Sequence, residues 1–264
     1  MTTFELDGAA ALEQYAPAAA AAYRRVQDAR PSGVYDEVLA SPGVAAFAEQ
    51  FRADVSQVDE RLRAGFADAT GKRMFDVAQM VWIADMSARL TAALDAVFAP
   101  STWWEVPRRV PVADLWALIE SFLASVALLD RVDPTTTELV RLRGARQHAC
   151  RLCASRRSVA AIDAGADEAT FAAVDHHETS DLAPAAKAAL ALTDAIIWTP
   201  FAIPETVVAD IRRELTPEQA VEVVLDVVRN AANKIAVGLG ADAASVTEGV
   251  ELFVTEPDGT LTVV

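Results

Sequence analysis

The chain has 264 residues, a formal net charge of −15 and a sequence pI of about 4.6. This length suffices for one large hydrophobic core or two small ones, and the low glycine and proline content (11 and 12 residues) excludes a fibrous or disordered chain. So acidic a chain repels nucleic acid and anionic lipid surfaces, and we therefore expect neither as a partner.

The first seven residues, Met-Thr-Thr-Phe-Glu-Leu-Asp, contain no basic segment followed by an apolar one, so they do not resemble a secretory signal. The best apolar run, residues 122–129, is far too short to span a bilayer. We therefore predict a cytoplasmic protein without a membrane partner.

An alanine-rich composition with few aromatic residues favours helices over strands and predicts an all-α fold. Residues 1–34, which are Ala-rich and interrupted at Pro17, are interpreted as an N-terminal helical extension, and residues 35–245 as the main helical domain. In the tail, residues 246–264, two β-prone runs flank a turn at 257–259 and predict a small hairpin. Such a hairpin must pack on the body or on another subunit, because isolated hairpins are marginal in water.

Helices of the first half are marked by caps and by apolar residues at steps of three and four. Ser41-Pro42 predicts a helix start, and periodic apolar residues then continue through Phe66 to a stop at Gly71, as one long helix. Further helices are predicted over 74–98 and 112–129. The linker between them holds Trp103-Trp104, which we interpret as pinning a loop to the core.

In the second half, Asp133-Pro134 predicts a helix that runs to about Gln147. Thr216 to Gln219 combines an N-cap, a first-turn proline and a capping-box glutamine, and predicts a helix to about Val237. Shorter helices are predicted over 168–174 and 184–198.

The two cysteines of the chain, Cys150 and Cys153, form a Cys-x-x-Cys pair. In a cytosolic protein this spacing indicates redox or metal chemistry. At the start of a helix, free backbone N–H groups and the positive end of the helix dipole favour the thiolate of the first cysteine. The second thiol lies one turn away and can close a disulfide.

Six arginines surround this pair, while Glu138 is the single acid between residues 138 and 158. Guanidinium groups near sulfur favour thiolate and attract anions. For most of the six we instead predict ion pairs with acids of other elements, because arginines on opposite faces of a helix cannot all reach one site. The six are Arg141, Arg143, Arg146, Arg151, Arg156 and Arg157.

Glu138, followed twelve residues later by Cys150 and then by Cys153, resembles the active-site segment of the alkylhydroperoxidase D (AhpD)/carboxymuconolactone decarboxylase superfamily. The run from Asn230 through Asn233-Lys234 to Gly240 is similar to the closing helix of that family. The resemblance covers roughly residues 40–245. It implies a helical AhpD-like fold and a homo-oligomer.

The same resemblance implies a thiol-dependent peroxidase or disulfide oxidoreductase with no cofactor and no metal. Cys153 would attack a small hydroperoxide or disulfide, Cys150 would resolve the product, Glu138 would accept a proton, and a dithiol protein would act as reductant. The chain departs from the family at Arg157, which replaces a histidine and stays protonated. We therefore include His148 as a site residue in its place.

Two other functions remain open. Glu138 and His148 could serve a cofactor-free acid–base enzyme similar to the lactone decarboxylases, or the scaffold could bind a ligand without catalysis. His176-His177-Glu178 is interpreted as a loop rather than a metal site, because its spacing is not that of a metal motif. A zinc site built from the cysteines lacks a second cysteine pair or a spaced histidine pair.

Overall fold

The computed structural model describes residues 4–31, 35–101 and 107–264, so Trp103 and Trp104 lie outside the described residues. The structure is predominantly helical, as predicted. The helices are α1 (Gly8–Tyr15), α2 (Pro17–Asp28), α3 (Asp36–Leu39), α4 (Pro42–Ala53), α5 (Glu60–Thr70), α6 (Met74–Val97), α7 (Leu115–Ala127), α8 (Pro134–Gln147), α9 (Arg151–Ala154), α10 (Val159–Asp163), α11 (Glu168–Ala172), α12 (Pro184–Trp198), α13 (Glu205–Glu214), α14 (Pro217–Asn230) and α15 (Asn233–Leu239). The strands are β1 (Ala29–Pro31), β2 (Val110–Val112), β3 (Arg156–Ser158), β4 (Glu251–Thr255) and β5 (Leu261–Val263).

Helices α6 and α14 form the centre of the core. Trp82 of α6 is buried and donates its indole N–H to the carbonyl of Ala231, just beyond α14. Helix α1 packs against both central helices and α2 packs against α7, so Leu12 and Tyr23 join the same hydrophobic cluster as the rest of the chain. The division after residue 34 stays a prediction, but residues 4–31 contribute to the common core.

The predicted caps at three helix starts are confirmed. The side chains of Ser41, Asp133 and Thr216 accept hydrogen bonds from the third residue of α4, α8 and α14, and each helix has proline at its first position. At Thr216 the reciprocal bond from Gln219 completes a capping box. Each cap pairs a backbone N–H group that would otherwise lack a partner at the helix start.

The prediction of one continuous helix up to Gly71 is wrong. Helix α4 ends at Ala53, a 3₁₀ turn spans Val55–Gln57, and α5 begins at Glu60. The side chain of Asp54 accepts from Ser56 N, and that of Asp59 accepts from Leu62 N, so each carboxylate starts a new helical segment. Likewise the helix from Thr216 stops at Asn230, and α15 starts at Asn233 instead of continuing to Val237.

The predicted C-terminal hairpin is confirmed: β4 and β5 pair antiparallel. It packs on the body, because β4 also pairs parallel with β3, directly after the cysteines, with Phe253 opposite Ser158. Its turn contains Gly259, whose φ is +84° and which lies against the carbonyl of Ala124 in α7. A side chain there would collide with that carbonyl. A short parallel pair of β1 and β2 was not predicted.

No helix among the described residues is long and apolar enough to cross a lipid bilayer.

Candidate active site

The cysteines follow a tight reversal at the end of α8. Ala149 adopts a left-handed conformation with φ of 51°. Its N–H bonds to the carbonyl of Arg146, and the N–H of Cys150 bonds to the carbonyl of Ala145, which together make a Schellman motif. Glycine is usual at this position, so Ala149 holds a conformation that costs about 1 kcal/mol. The reversal places Cys150 directly beneath the end of α8.

Cys150 and Cys153 are joined as a disulfide, with their Cα atoms 5.4 Å apart. Cys150 is 1% exposed, whereas Cys153 is partly exposed and faces a cavity. The two sulfurs therefore differ in access: an external molecule reaches Cys153 first.

The structure does not provide the long helix whose dipole was expected to favour the thiolate of Cys150. Helix α9 has four residues, too few for a substantial dipole. The first backbone N–H groups of α9 are also not free, because the side chain of Asp242 accepts from Arg151 N and its carbonyl accepts from Leu152 N. The remaining contact to Cys150 Sγ is a hydrogen bond of 3.2 Å from Cys153 N.

Glu138 is buried, and both of its carboxylate oxygens accept hydrogen bonds. Its two oxygens accept from Arg141 at 2.6 and 2.7 Å, and Ser158 N donates to it at 3.2 Å. Arg141 also donates to the carbonyls of Cys153 and Arg156. The pair thus fixes the backbone of the cysteine turn, and the structure places the Glu138 carboxylate as the counter-ion of Arg141.

The expected pairing with acids of other elements is confirmed for five of the six arginines. Only Arg141 finds its acid within the segment, and the other partners come from distant residues. The ion pairs are Arg141–Glu138, Arg143–Asp194, Arg146–Asp175, Arg151–Asp242, Arg156–Glu251 and Arg157–Glu168.

Arg157 does not lie on the same helix as Cys153. It belongs to strand β3, where it bonds to Glu168 and covers the ring of Phe171 at 5.4 Å. Because the chain becomes extended after Ser155, Arg157 pairs with Glu168 of α11 instead of continuing a helix beside Cys153.

His148 is connected to Cys153 through Asn233. His148 Nδ1 lies 3.0 Å from Asn233 Oδ1, and Asn233 Nδ2 donates to Cys153 Sγ at 3.5 Å. An amide oxygen only accepts, so in this orientation of Asn233 the proton of the neutral imidazole resides on Nδ1. Burial and the nearby charge of Lys234 lower the pKa of His148 to about 3, which keeps the ring neutral. Sequence reasoning singled out Asn233 only within a family resemblance and gave it no role.

Behind this chain of contacts lies a buried charged network. Lys234 donates to Asp85 at 2.6 Å, and Arg89 Nε donates to the other Asp85 oxygen at 2.8 Å. Arg89 also donates to the carbonyls of Ile196 and Ile197. Two cations share one carboxylate, so the network carries a net positive charge close to His148. Burial lowers the pKa of Lys234 to about 8.

Cys153 opens into a cavity of about 470 Å³ between α7, α14, the cysteine turn and the hairpin. Its walls are apolar at Trp116, Leu123 and Phe253, and Asn233 contributes a polar group. A larger cavity, about 1020 Å³, lies elsewhere between α2, α4 and α6, and its described lining residues include no cysteine or histidine. Of these two cavities, the smaller one is lined by Cys153.

The histidine pair lies on a 3₁₀ helix, Ala173–Thr179, instead of the predicted loop. His177 Nε2 lies 3.2 Å from Asp194, which also accepts from Arg143. Over residues 4–31, 35–101 and 107–264, no three histidine, cysteine or acidic side chains come together as a metal site.

The fold and the site define an all-α protein with a Cys-x-x-Cys pair at disulfide distance beside a cavity. Two relatives from Mycobacterium tuberculosis are similar to it: "Uncharacterized protein Rv2313c" of strain ATCC 25618 / H37Rv and "Uncharacterized protein MT2376" of strain CDC 1551 / Oshkosh. Each is 40% identical over 228 residues, which cover 82% of this chain and 78% of the relative. The chain belongs to the family of these mycobacterial proteins. No family model and no solved structure matches it.

Proposed function

We propose that this protein is a thiol-dependent oxidoreductase of the AhpD-like type, which reduces a small organic hydroperoxide or disulfide. The observation that carries the proposal is the unequal access of the two sulfurs. Cys153 faces the cavity, and Cys150 lies buried at disulfide distance behind it. An attacking thiol needs access to its substrate, whereas a resolving thiol needs only access to the first sulfur.

In the proposed reaction, the Cys153 thiolate attacks the outer oxygen of the hydroperoxide. The O–O bond breaks, an alcohol leaves with a proton from solvent, and Cys153 becomes a sulfenic acid. The Cys150 thiol then attacks the Cys153 sulfur, which forms the disulfide and releases water. An external dithiol reduces this disulfide by exchange and is itself oxidised, which returns both thiols.

One feature of the site supports a thiolate at Cys153: Asn233 donates a side-chain N–H to the sulfur. His148 Nδ1 bonds to the amide oxygen of Asn233 and so fixes the orientation of that amide. In this proposal His148 is a positioning residue, and its neutral ring does not supply the proton.

The acid–base alternative needs a free carboxylate and an imidazole that titrates near neutral pH. Glu138 is instead bonded to Arg141 and Ser158 N, and the pKa of His148 is far below neutrality. These contacts favour the redox proposal over the lactone decarboxylase-like one. A cytoplasmic location, a homo-oligomer and a dithiol protein partner remain predictions.

The proposal is tested by counting thiols with mass spectrometry, before and after one equivalent of cumene hydroperoxide is added to the reduced protein. The chain has no other cysteine, so every change arises from this pair. We expect loss of both thiols and their return with dithiothreitol. Cys150→Ser should accumulate a sulfenic acid that dimedone traps, whereas Cys153→Ser should not react. If both thiols of the wild-type protein remain reduced after peroxide is added, the redox proposal is contradicted, and a scaffold that binds a ligand without catalysis becomes the better hypothesis.

A further inference from the structure

The cavity beside Cys153 contains three arginines, and two of them are neutralised within the protein. Arg141 is paired with Glu138, and Arg156 Nε bonds to Glu251 at 3.0 Å. The third arginine, Arg229, lies in the last turn of α14. Its Nε donates to the carbonyl of Leu123 at 3.2 Å, but no carboxylate of the described residues lies within ion-pair distance of its guanidinium.

Two carboxylates interact with Arg229 through space without contacting it, Asp226 and Glu138, and Glu138 is already paired with Arg141. Asp226 lies one turn earlier on α14, and burial raises its pKa to about 7, so it is partly neutral at neutral pH. Glu120 also lines the cavity, but it is exposed to solvent. A half-buried cation without a contacting partner is costly, and an anionic ligand would offset that cost.

Asn230 adds a second unsatisfied group beside Arg229. Its Nδ2 is buried and has no hydrogen-bond partner among the described residues, and the same is true of Asp226 Oδ2 one turn earlier; the Asn230 side chain also lines the cavity. Buried donors without an acceptor are rare in folded proteins. A rotation of the Asn230 amide into the cavity would let a ligand oxygen accept from both Asn230 and Arg229.

The rest of the cavity is suited to an apolar body. Trp116 and Leu123 of α7 lie on one side, Leu152 lies beside Cys153, and Phe253 and Leu261 of the hairpin complete the wall. A volume of about 470 Å³ is within the usual range for small-molecule sites.

We propose that this cavity binds an organic carboxylate with an apolar body, with Arg229 and Asn230 as the anion-binding residues, and that the substrate is a hydroperoxide of that class. The hydroperoxide part rests on the proposed function, whereas the selectivity for an organic anion does not. The carboxylate bonds to Arg229 and Asn230, the body packs on Trp116 and Phe253, and the reacting group faces Cys153.

Binding is tested on the oxidised protein by calorimetry with 4-isopropylbenzoate and its neutral isostere, 4-isopropylbenzamide. We expect the wild-type protein to bind the carboxylate at least about tenfold more tightly, the usual scale of one charge-assisted contact. Arg229→Met should lose this preference, Arg229→Lys should keep part of it, and Arg131→Met, at an exposed arginine outside the cavity, should keep all of it. Equal affinity for the two compounds in the wild-type protein, or an unchanged preference in Arg229→Met, overturns the inference.

A kinetic measurement separates this inference from the proposed function. The reduced protein is mixed with 4-(2-hydroperoxypropan-2-yl)benzoate or its methyl ester, and thiol loss is followed. Faster reaction with the carboxylate, by about tenfold, supports both ideas. Equal rates with both peroxides keep the proposed function and overturn the anion selectivity. Carboxylate binding without thiol loss supports the anion site and contradicts the peroxidase reaction.

Discussion

Asn233 donates a side-chain N–H to the sulfur of Cys153 across a separation of 80 residues, at 3.5 Å. This contact predicts the effect of Asn233→Asp. A carboxylate in place of the amide would disfavour a thiolate beside it, so alkylation of reduced Cys153 by iodoacetamide at pH 7 should slow by about tenfold. Mass spectrometry of the reduced protein measures the rate for each cysteine.

In the wild-type protein the same measurement should show Cys153 alkylated before Cys150, because Cys150 is almost fully buried. Alkylation of Cys150 first would contradict the assigned order of the two sulfurs. An unchanged Cys153 rate in Asn233→Asp would remove Asn233 from the site.

Glu138→Gln should destabilise the protein strongly. The substitution keeps the shape of the side chain but leaves the buried guanidinium of Arg141 without its counter-ion. Loss of one partner of a buried pair costs about 3–5 kcal/mol. The free energy of unfolding in urea measures the effect.

The matched control is Glu13→Gln, at the partly exposed pair with Arg24, where a change of about 1 kcal/mol or less is expected. Equal effects of the two substitutions would show that Arg141 does not depend on Glu138.

Asp85→Asn should also be severe, because it leaves Lys234 and Arg89 buried together without a carboxylate. We expect a loss of about 3–5 kcal/mol in the free energy of unfolding. Asp68→Asn, at an exposed position of α5, should change it by about 0.5 kcal/mol or less. A mild effect of Asp85→Asn would contradict the role of Asp85 as the counter-ion of Lys234 and Arg89.

Ala149→Gly should stabilise the protein by about 0.5–1 kcal/mol, because Ala149 has φ of 51° and glycine adopts that conformation without strain. Ala64→Gly, at an exposed position inside α5, is the matched control and should destabilise by about 1 kcal/mol. Opposite signs in urea unfolding confirm the left-handed turn before Cys150. Destabilisation by both substitutions would contradict it.

The lowered pKa of His148 predicts that the free energy of unfolding depends on pH. Burial holds its folded pKa near 3, while the unfolded value is about 6.5. Between these values the unfolded state binds a proton that the folded state does not bind, so the free energy of unfolding falls as the pH falls. From pH 7 to pH 5 this one group contributes a loss of about 2 kcal/mol.

The loss should be absent from His148→Gln, so the variant should show a shallower dependence than the wild-type protein over this range. Chemical denaturation at both pH values measures the difference. The same slope in both proteins would mean that His148 is solvated or protonated in the folded state.

Local features of this fold could be predicted from the sequence. Caps such as Asp133 and Thr216 act within three residues, so their side chains mark helix starts wherever the chain is placed. The apolar spacing of α6 and α7 predicts their buried faces for the same reason, and the β-prone tail predicts its hairpin. The breaks at Asp54 and Asp59 were missed because apolar periodicity continued across two competing caps.

The sequence by itself determined the helical class, the helix starts at Ser41, Asp133 and Thr216, and the cysteine pair, because each depends on neighbours a few residues apart. Tertiary structure alone decided which sulfur faces the cavity, which acid neutralises each arginine, and that Asn233 stands between His148 and Cys153. These contacts join residues that are distant in the chain, and packing selects them from many partners of equal charge or polarity. Arg229 shows the same limit, since only the folded chain reveals a cation that no carboxylate of the described residues contacts.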